Sequence, residues 1–170
     1  MRRLIESLLE LARLDAGQEP MRRQPCDLAH IAGDCIALIR PLAAQHSIEL
    51  HTDLAETLCL ADPDRLAQVI VNLLTNAIDY NHDGGEVRIR TYRHNGTATL
   101  TVTNTGPCIP EADLPHIFER FHRADKSRRS TGHSGLGLAI AKAIIQAHGG
   151  TIEAQSQPGN GATFAVNLPG

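Results

Sequence analysis

The first stretch of the chain has apolar side chains at helical spacing. Residues 2–15 carry an apolar residue at every third or fourth position, which predicts an amphipathic helix that Gly17 and Pro20 end. The apolar positions of this helix are Leu4, Ile5, Leu8, Leu11 and Leu14. A single amphipathic helix ahead of a linker is typical of the end of a helical hairpin or dimer bundle. The alternative is a helix that packs on its own domain.

Two aspartates mark the starts of further helices. Asp27 is placed to cap a helix that runs to about residue 45. The side chains expected to face inward on that helix are Ile31, Cys35, Leu38 and Ile39. Asp62 is placed to cap a third helix, with Pro63 in its first turn. The third helix carries the stretch NLLTNAIDY, and the turn residues 81–85 end it.

The rest of the chain alternates between period-two segments and one more helix. The segments SIELHTDL, TLCLAD, EVRIRTY, TATLTVTN, TIEAQS and ATFAVNL predict strands, and Asn95-Gly96 predicts a hairpin turn. A helix is expected from about Gly135 to His148. Hairpin-joined strands and a few helices predict an α+β fold, in which a mixed or antiparallel sheet is covered on one face by helices.

Composition narrows the class of protein. The net charge of −3 gives no indication of nucleic-acid binding, and the four scattered cysteines predict reduced, buried thiols. No apolar run is long enough for a membrane-spanning helix, and Glu6 and Glu10 interrupt any signal-peptide core. We therefore expect a cytosolic domain, or the cytosolic piece of something larger.

Two asparagines lie one helical turn apart on the leucine-rich third helix. Asn72 and Asn76 share a face with Asp79 or Tyr80, although asparagine is a poor helix former. Amide oxygens suit Mg²⁺, and amide NH₂ groups can donate to phosphate. The alternative is a solvated polar face, for which glutamate, lysine or glutamine is the better choice.

A third asparagine ends an apolar strand face. Period two places Asn104 on the same side as Leu100 and Val102, directly before the turn TGPCIP. A buried amide needs hydrogen-bond partners, so Asn104 is a candidate base-recognition group on the floor of a pocket. The alternative, an asparagine that satisfies its own turn, is favoured on this evidence alone.

A glycine-rich loop precedes the last helix. In GHSGLGLAIAKAII, Gly132, Gly135 and Gly137 expose backbone N–H groups at a helix start, which is the chemistry of a phosphate cradle. The alternative is a tight packing turn. The polar segment 119–134 before it is expected to be a long loop, and it carries basic residues placed to close over a polyphosphate: Arg120, Arg123, Lys126, Arg128 and Arg129.

These motifs together, in this order, resemble the ATP-binding catalytic domain of sensor histidine kinases, whose fold is shared with gyrase-type, MutL-type and chaperone ATPases. NLLTNAIDY resembles the asparagine box, NTGPCIP the first glycine box, LPHIFERFHRAD the phenylalanine box, and GHSGLGLAIAKAIIQAHGG the second glycine box. GNGATFAVNLP resembles the closing strand. The resemblance implies a Bergerat-type two-layer α/β sandwich. The variant boxes are similar to those of the heavy-metal (copper-type) sensor kinase subgroup.

The resemblance assigns roles to particular residues. It implies that Asn76 binds Mg²⁺, Asn72 orients phosphate, Tyr80 lines the nucleotide pocket and Asn104 binds the adenine amino group in place of the usual aspartate. The residues it implicates in ATP binding are Asn72, Asn76, Asp79, Tyr80, Asn104, Gly106, Ile109, Phe118, Arg123, Lys126, Gly132, His133, Ser134, Gly135, Leu136, Gly137, Leu138 and Thr163.

Four positions bear on what the resemblance implies. Asn104 replaces an aspartate, Cys108 a glycine, and Asp79 a common lysine or arginine. ATPase relatives have a water-activating glutamate where this chain has Asn72, and an amide does not accept a proton at neutral pH. A domain that holds MgATP without hydrolysing it efficiently is therefore expected.

The expected organisation is that of part of a larger protein. Residues 1–17 resemble the end of the dimerisation and phosphoacceptor hairpin, residues 18–26 a linker and first strand, and 27–170 the catalytic domain, with a lid at about 119–134. No histidine lies in a phosphoacceptor context, and His46, His51, His94 and His148 are expected at the surface or in turns. The resemblance implies γ-phosphate transfer to a hairpin histidine, a response-regulator partner, a homodimer and an inner-membrane sensor upstream. The alternatives are an interaction domain that has lost nucleotide binding and a gyrase- or chaperone-type ATPase.

Overall fold

The computed structural model describes residues 2–122 and 135–170, with helices and strands at the places that the sequence pattern predicts. The helices are α1 (Arg2–Asp15), α2 (Leu28–Gln45), α3 (Pro63–Asp79) and α4 (Gly137–Ala147), with a short 3-10 turn at Leu114–His116. The strands are β1 (Gln24–Asp27), β2 (Glu49–Leu54), β3 (Leu58–Ala61), β4 (Glu86–His94), β5 (Thr97–Asn104), β6 (Thr151–Gln157) and β7 (Gly161–Pro169).

Five of these strands form one mixed, mostly antiparallel sheet. Their order is β2-β4-β5-β7-β6, and β2 pairs with β4 in parallel while the other neighbours are antiparallel. The two short strands β1 and β3 form a separate antiparallel pair. Helices α2, α3 and α4 contact strands of the large sheet, so the predicted α+β architecture is confirmed.

The two faces of the sheet differ as the period-two pattern predicts. Val87 and Ile89 on β4, and Leu100 and Val102 on β5, are fully buried on the face that the helices cover. Positions between them on β4, such as Arg88, are exposed on the other face. Asn95 and Gly96 both adopt positive φ values, 50° and 79°, in the turn that joins β4 to β5.

Helix α3 lies at the centre of the helical layer. It contacts α2, α4 and β5 through one continuous buried face. The buried residues of α3 are Leu66, Val69, Ile70, Leu73, Leu74, Ala77 and Ile78. The expected inward face of α2 is confirmed at Ile31, Cys35 and Ile39, but Leu38 is 70% exposed because it lies beyond the edge of the buried stripe.

Helix α1 packs on its own domain in this structure. Its residues Leu11 and Leu14 are buried in the common core, and the helix contacts α4. Arg65 of α3 forms ion pairs with Glu10 of α1 and with Glu19 of the following segment. The assignment of residues 1–17 to a helical hairpin stays a prediction.

The thiols differ in their surroundings. Cys35 and Cys59 are buried, Cys26 is half-buried and Cys108 is exposed, so the expectation of buried thiols was wrong for Cys108. Burial, with a smaller contribution from the charge of Asp34, raises the pKa of Cys35 to about 11. Burial, with the neighbouring Cys26, raises the pKa of Cys59 to about 12. These two thiols therefore hold little thiolate at neutral pH.

None of the described helices has both the length and the apolar composition that crossing a membrane requires.

Asp62 joins three parts of the fold at the start of α3. Its carboxylate accepts hydrogen bonds from the backbone N–H groups of Asp64 at 3.1 Å and Arg65 at 3.2 Å, which caps the helix as predicted, and from that of Arg22 at 2.9 Å. Its own N–H donates to Nε2 of His148 at 3.0 Å, and Nδ1 of His148 lies 2.8 Å from the Ile144 carbonyl oxygen. His148 lies in a turn, as expected, but it is 3% exposed because this bonding draws it into the core.

The charge of Asp62 favours the folded state. Partial burial raises the pKa of the carboxyl, but the three N–H donors and the charge of Arg65 outweigh it and hold the pKa below its usual value. A lowered folded-state pKa stabilises the protein above the unfolded-state pKa, and this stabilisation is lost as pH falls through the folded-state pKa.

We predict that Asp62→Ala lowers the free energy of unfolding at neutral pH by about 1–2 kcal/mol, because the cap of α3 is lost. The difference from wild type narrows as pH falls from about 3.9, the ordinary aspartate pKa, through the lower folded-state pKa, because unfolding of the wild-type protein then takes up a proton at Asp62. Urea denaturation at several pH values measures both effects. Asp83→Ala, at an exposed turn position, is the matched control; an equal loss in both variants contradicts the prediction.

Candidate functional site

A cavity of about 390 Å³ opens on the helical side of the sheet, between α3, the start of α4, and the ends of β5 and β7. Its volume is in the range of small-molecule sites. The sequence-predicted site residues that line it are Asn72, Asn76, Asp79, Tyr80, Asn104, Ile109, Gly135, Gly137 and Leu138. Segments far apart in the sequence thus meet at one concave surface.

The two asparagines of α3 have different surroundings. Asn72 donates a hydrogen bond from Nδ2 to the carbonyl oxygen of Gly137 at 3.1 Å, which ties α3 to the first residue of α4. The side chain of Asn76 has no hydrogen-bond partner among the described residues, and it lines the cavity. Asn72 is therefore placed to hold the helix start in position, and Asn76 is placed to meet a ligand.

Asn104, the last residue of β5, lines the cavity near the C-terminal end of α3. Only 3% of the residue is exposed, and β5 places it on the buried face with Leu100 and Val102. Its side-chain amide makes no hydrogen bond within residues 2–122 and 135–170, and it lines the cavity. Because the residue lines the cavity, its amide is placed to bond to a ligand that enters there.

Gly106 shapes the same end of the cavity without lining it. A Cβ at this position would overlap the carbonyl oxygen of Tyr80 and lie 2.8 Å from Nδ2 of Asn104. Tyr80 ends α3 by donating its N–H to the carbonyl oxygen of Asn76 at 3.1 Å. The missing side chain at Gly106 therefore lets the end of α3 approach the Asn104 amide.

The start of α4 forms the opposite end of the cavity. Gly135 adopts a φ of 70°, and the helix begins at Gly137 without a side-chain cap, so its first N–H groups are free of a capping side chain. Such a helix start favours an anion. Leu136, between the two glycines, is fully buried and does not line the cavity, so its side chain is a packing residue.

Two predicted residues lie behind the cavity wall. Thr163 pairs with Thr103 on the other face of the sheet through their hydroxyl oxygens, 2.9 Å apart, while its neighbours Ala162 and Phe164 line the cavity. Phe118 packs edge-on against Phe164, with ring centroids 6.3 Å apart, and does not line the cavity. The apolar alternation of ATFAVNL predicts which residues of β7 face the cavity, because its apolar positions include residues 162 and 164.

Part of the predicted site lies outside the described residues. The residues concerned are Arg123, Lys126, Gly132, His133 and Ser134, with the larger part of the predicted lid. Arg120, the described basic residue of that segment, forms an ion pair with Asp15 of α1. In this structure Arg120 is therefore bound to α1 and does not line the cavity.

The cavity also includes residues that the sequence analysis did not assign to the site. Cys108 lines it, in the loop after β5, and the Ile109 N–H anchors that loop by donating to the Ser156 hydroxyl at 2.8 Å. His122 lines it too, with Nε2 hidden from solvent and 3.5 Å from a carboxylate oxygen of Asp113. No periodic pattern marks these positions, because they lie in irregular segments.

Comparison with known families identifies a match over most of the chain. The family model described as histidine kinase-, DNA gyrase B-, and HSP90-like ATPase matches residues 61–170. This segment includes every residue that lines the cavity.

Similar proteins include named histidine kinases. The probable sensor histidine kinase TcrY of Mycobacterium tuberculosis is 41% identical over 168 residues, which are 98% of this chain and 35% of the relative. The circadian input-output histidine kinase CikA of Synechococcus elongatus is 35% identical over 171 residues, which are 98% of this chain and 23% of the relative. The chain thus spans about a third of TcrY and less of CikA.

Among solved structures, full-length ShkA in complex with AMPPNP matches with a TM-score of 0.87 and 28% identity. The match covers 98% of this chain and 35% of that chain.

We predict that Gly106→Ala lowers the free energy of unfolding by about 1–3 kcal/mol, because the added methyl group overlaps the Tyr80 carbonyl. Gly33→Ala is the matched control, since a Cβ there meets only Leu54 Cδ1 at 4.0 Å. Within helix α2 this change should be neutral or stabilising by up to about 1 kcal/mol. Urea denaturation measures both; equal stability of Gly106→Ala and wild type contradicts the close approach.

Proposed function

Because the chain belongs to the family of histidine kinase-, DNA gyrase B- and HSP90-like ATPases, we propose that it is the ATP-binding catalytic domain of a sensor histidine kinase. The observation that carries the proposal is the Asn104 amide, which is nearly buried, without a partner among the described residues, and on the wall of the cavity. The proposed activity is transfer of the γ-phosphate of MgATP to a histidine on a dimerisation domain.

The Asn104 end of the cavity fits an adenine base. An amide oxygen accepts a hydrogen bond from an exocyclic amino group, as the aspartate usual in this family position does, but without a negative charge. Apolar side chains around it, including Ile109, Ile117 and Phe164, offer surfaces against which a flat ring can pack. A base bonded here gives the Asn104 amide a hydrogen-bond partner, which it lacks within residues 2–122 and 135–170.

The α4 end of the cavity fits the phosphates. The uncapped start of α4 and the glycines beside it present backbone N–H groups to an anion. The Asn76 oxygen fits Mg²⁺, which prefers oxygen ligands and keeps most of its waters. Bound MgATP supplies the phosphoryl group; the residues of this chain hold it and position it.

The chemistry of Asn72 favours transfer over hydrolysis. Its amide cannot take a proton from water at neutral pH, and in this structure its NH₂ group is bonded to the Gly137 carbonyl. Asn72 therefore acts in the proposal by fixing the start of α4 relative to α3. This argues against the alternative of a gyrase- or chaperone-type ATPase.

The proposed setting extends beyond this chain. We propose that the phosphoryl acceptor is a histidine of a helical hairpin in the same protein or its dimer mate, and that a response regulator receives the phosphoryl group next. We further propose, on the motif resemblance alone, that the full protein is an inner-membrane sensor that responds to a heavy metal.

We predict that the chain binds AMP-PNP in isothermal titration calorimetry, more tightly with Mg²⁺ than without. Asn104→Ala should weaken binding about five- to tenfold under both conditions, which corresponds to about 1 kcal/mol for one hydrogen bond. Asn104→Asp should restore or tighten it, because a charged acceptor bonds more strongly. Asn76→Ala should remove most of the Mg²⁺ dependence.

The control is Gln146→Ala, which removes an exposed amide in the last turn of α4, at the end of that helix that does not line the cavity. No binding by wild type overturns the proposal and favours the interaction-domain alternative. Equal affinity in wild type and all four variants overturns the roles assigned to Asn104 and Asn76. Steady ATP hydrolysis that survives Asn72→Ala and is lost in Asn76→Ala favours the ATPase alternative.

A further inference from the structure

Three side chains with metal-binding chemistry meet on the exposed face of the sheet, away from the cavity. Parallel pairing places Glu49 of β2 beside Glu86 of β4, and His51 follows Glu49 by two residues on the same face. The helix-covered face of β4 carries the buried residues Val87 and Ile89 instead. The cluster is thus separated from the cavity by the sheet.

The imidazole of His51 points at both carboxylates without bonding to either. Its Nε2 lies 3.6 Å from Oε1 of Glu49 and 3.6 Å from Oε2 of Glu86, beyond hydrogen-bond distance. One ligand atom from each of the three residues lies within 4.8 Å of the others. Nε2 is hidden from solvent and has no hydrogen-bond partner in the described part of the chain.

A neighbouring pair on the same face has a direct hydrogen-bonded ion pair, which the cluster lacks among the described residues. Asp53 and Arg90 form a direct pair, with Nε donating to the carboxylate at 2.9 Å. Arg88 approaches Glu86 only to 3.8 Å. Two carboxylates directly opposite each other on adjacent strands repel, so a cation between Glu49 and Glu86 would stabilise them.

We propose that Glu49, His51 and Glu86 form a binding site for a divalent transition metal of the zinc class. Zinc takes imidazole nitrogen and carboxylate oxygen at about 2.0–2.2 Å, which places tetrahedral ligands about 3.3 Å apart. Rotation of the two exposed glutamate side chains closes the remaining gap. An imidazole ligand favours zinc over Mg²⁺ or Ca²⁺, which prefer oxygen donors.

The backbone holds Glu86 firmly in place. Its carbonyl oxygen accepts hydrogen bonds from Nδ2 of Asn81 at 2.9 Å and from the N–H of Thr105 at 3.1 Å, and its N–H donates to the Thr105 hydroxyl at 2.8 Å.

The site requires only β2 and β4, and it is independent of the proposed nucleotide function.

The test is a titration of the untagged, metal-free chain with ZnCl₂ in the absence of nucleotide, followed by calorimetry. We expect one site that is weakened about tenfold or more in His51→Gln and in Glu86→Gln. His30→Gln is the matched control, because His30 also lies 3.6 Å from a carboxylate, that of Asp34, but has no third ligand among the described residues. Its affinity should equal that of wild type.

Histidine-ring NMR of the wild-type chain gives a second readout that needs no substitution. Zinc should shift the His51 ring signals first, at one equivalent. The proposal is overturned if zinc does not bind, if another histidine responds first, or if His51→Gln and His30→Gln bind zinc equally. No binding would identify the cluster as a histidine–carboxylate pairing alone.

Discussion

The packing of α3 against the sheet and between α2 and α4 is the constraint on which the candidate site depends. The buried face of α3 fixes its rotation, so that Asn72, Asn76 and Tyr80 emerge at the edge of that face toward the cavity. If α3 were rotated about its axis by about 100°, the angle between successive residues, all three side chains would point away from the cavity. The Asn72 amide bonds to the start of α4 and thereby sets the relative position of α3 and α4, which both line the cavity.

The sequence predicts those parts of the structure that depend on local periodicity and capping. Asp62 identifies the start of α3, and period two places Asn104 on the inner face of β5. What depends on distant pairing does not follow from such patterns: His148 is buried because Asp62 donates to it, 86 residues away. Cys108 lines the cavity from an irregular loop, which has no periodic pattern. Thr163 was expected at the site but lies on the other face of β7, and the apolar alternation of ATFAVNL already indicates this. The His51 cluster arises only through the parallel β2–β4 pairing, which has no local signal.

The polar lining of the cavity combines neutral amides and backbone N–H groups with the side chains of Asp79, Tyr80, Cys108 and His122. Asn72, Asn76 and Asn104 can bind and orient a ligand, but none can act as a general base at neutral pH. In the proposed function, these amides hold a phosphoryl donor for an acceptor supplied from elsewhere. The cluster on the opposite face has a different donor set, two carboxylates and an imidazole, and therefore a different preference among metals.

Alkylation of Cys108 tests the central claim, a nucleotide site in this cavity, most directly. Cys108 lines the cavity and is exposed, whereas burial leaves Cys35 and Cys59 with little reactive thiolate. Peptide-resolved mass spectrometry of iodoacetamide-treated protein should show fast modification of Cys108, slowed by saturating AMP-PNP with Mg²⁺, and a rate at Cys26 that does not change. A Cys108 rate that is the same with and without the nucleotide would contradict the assignment of this cavity.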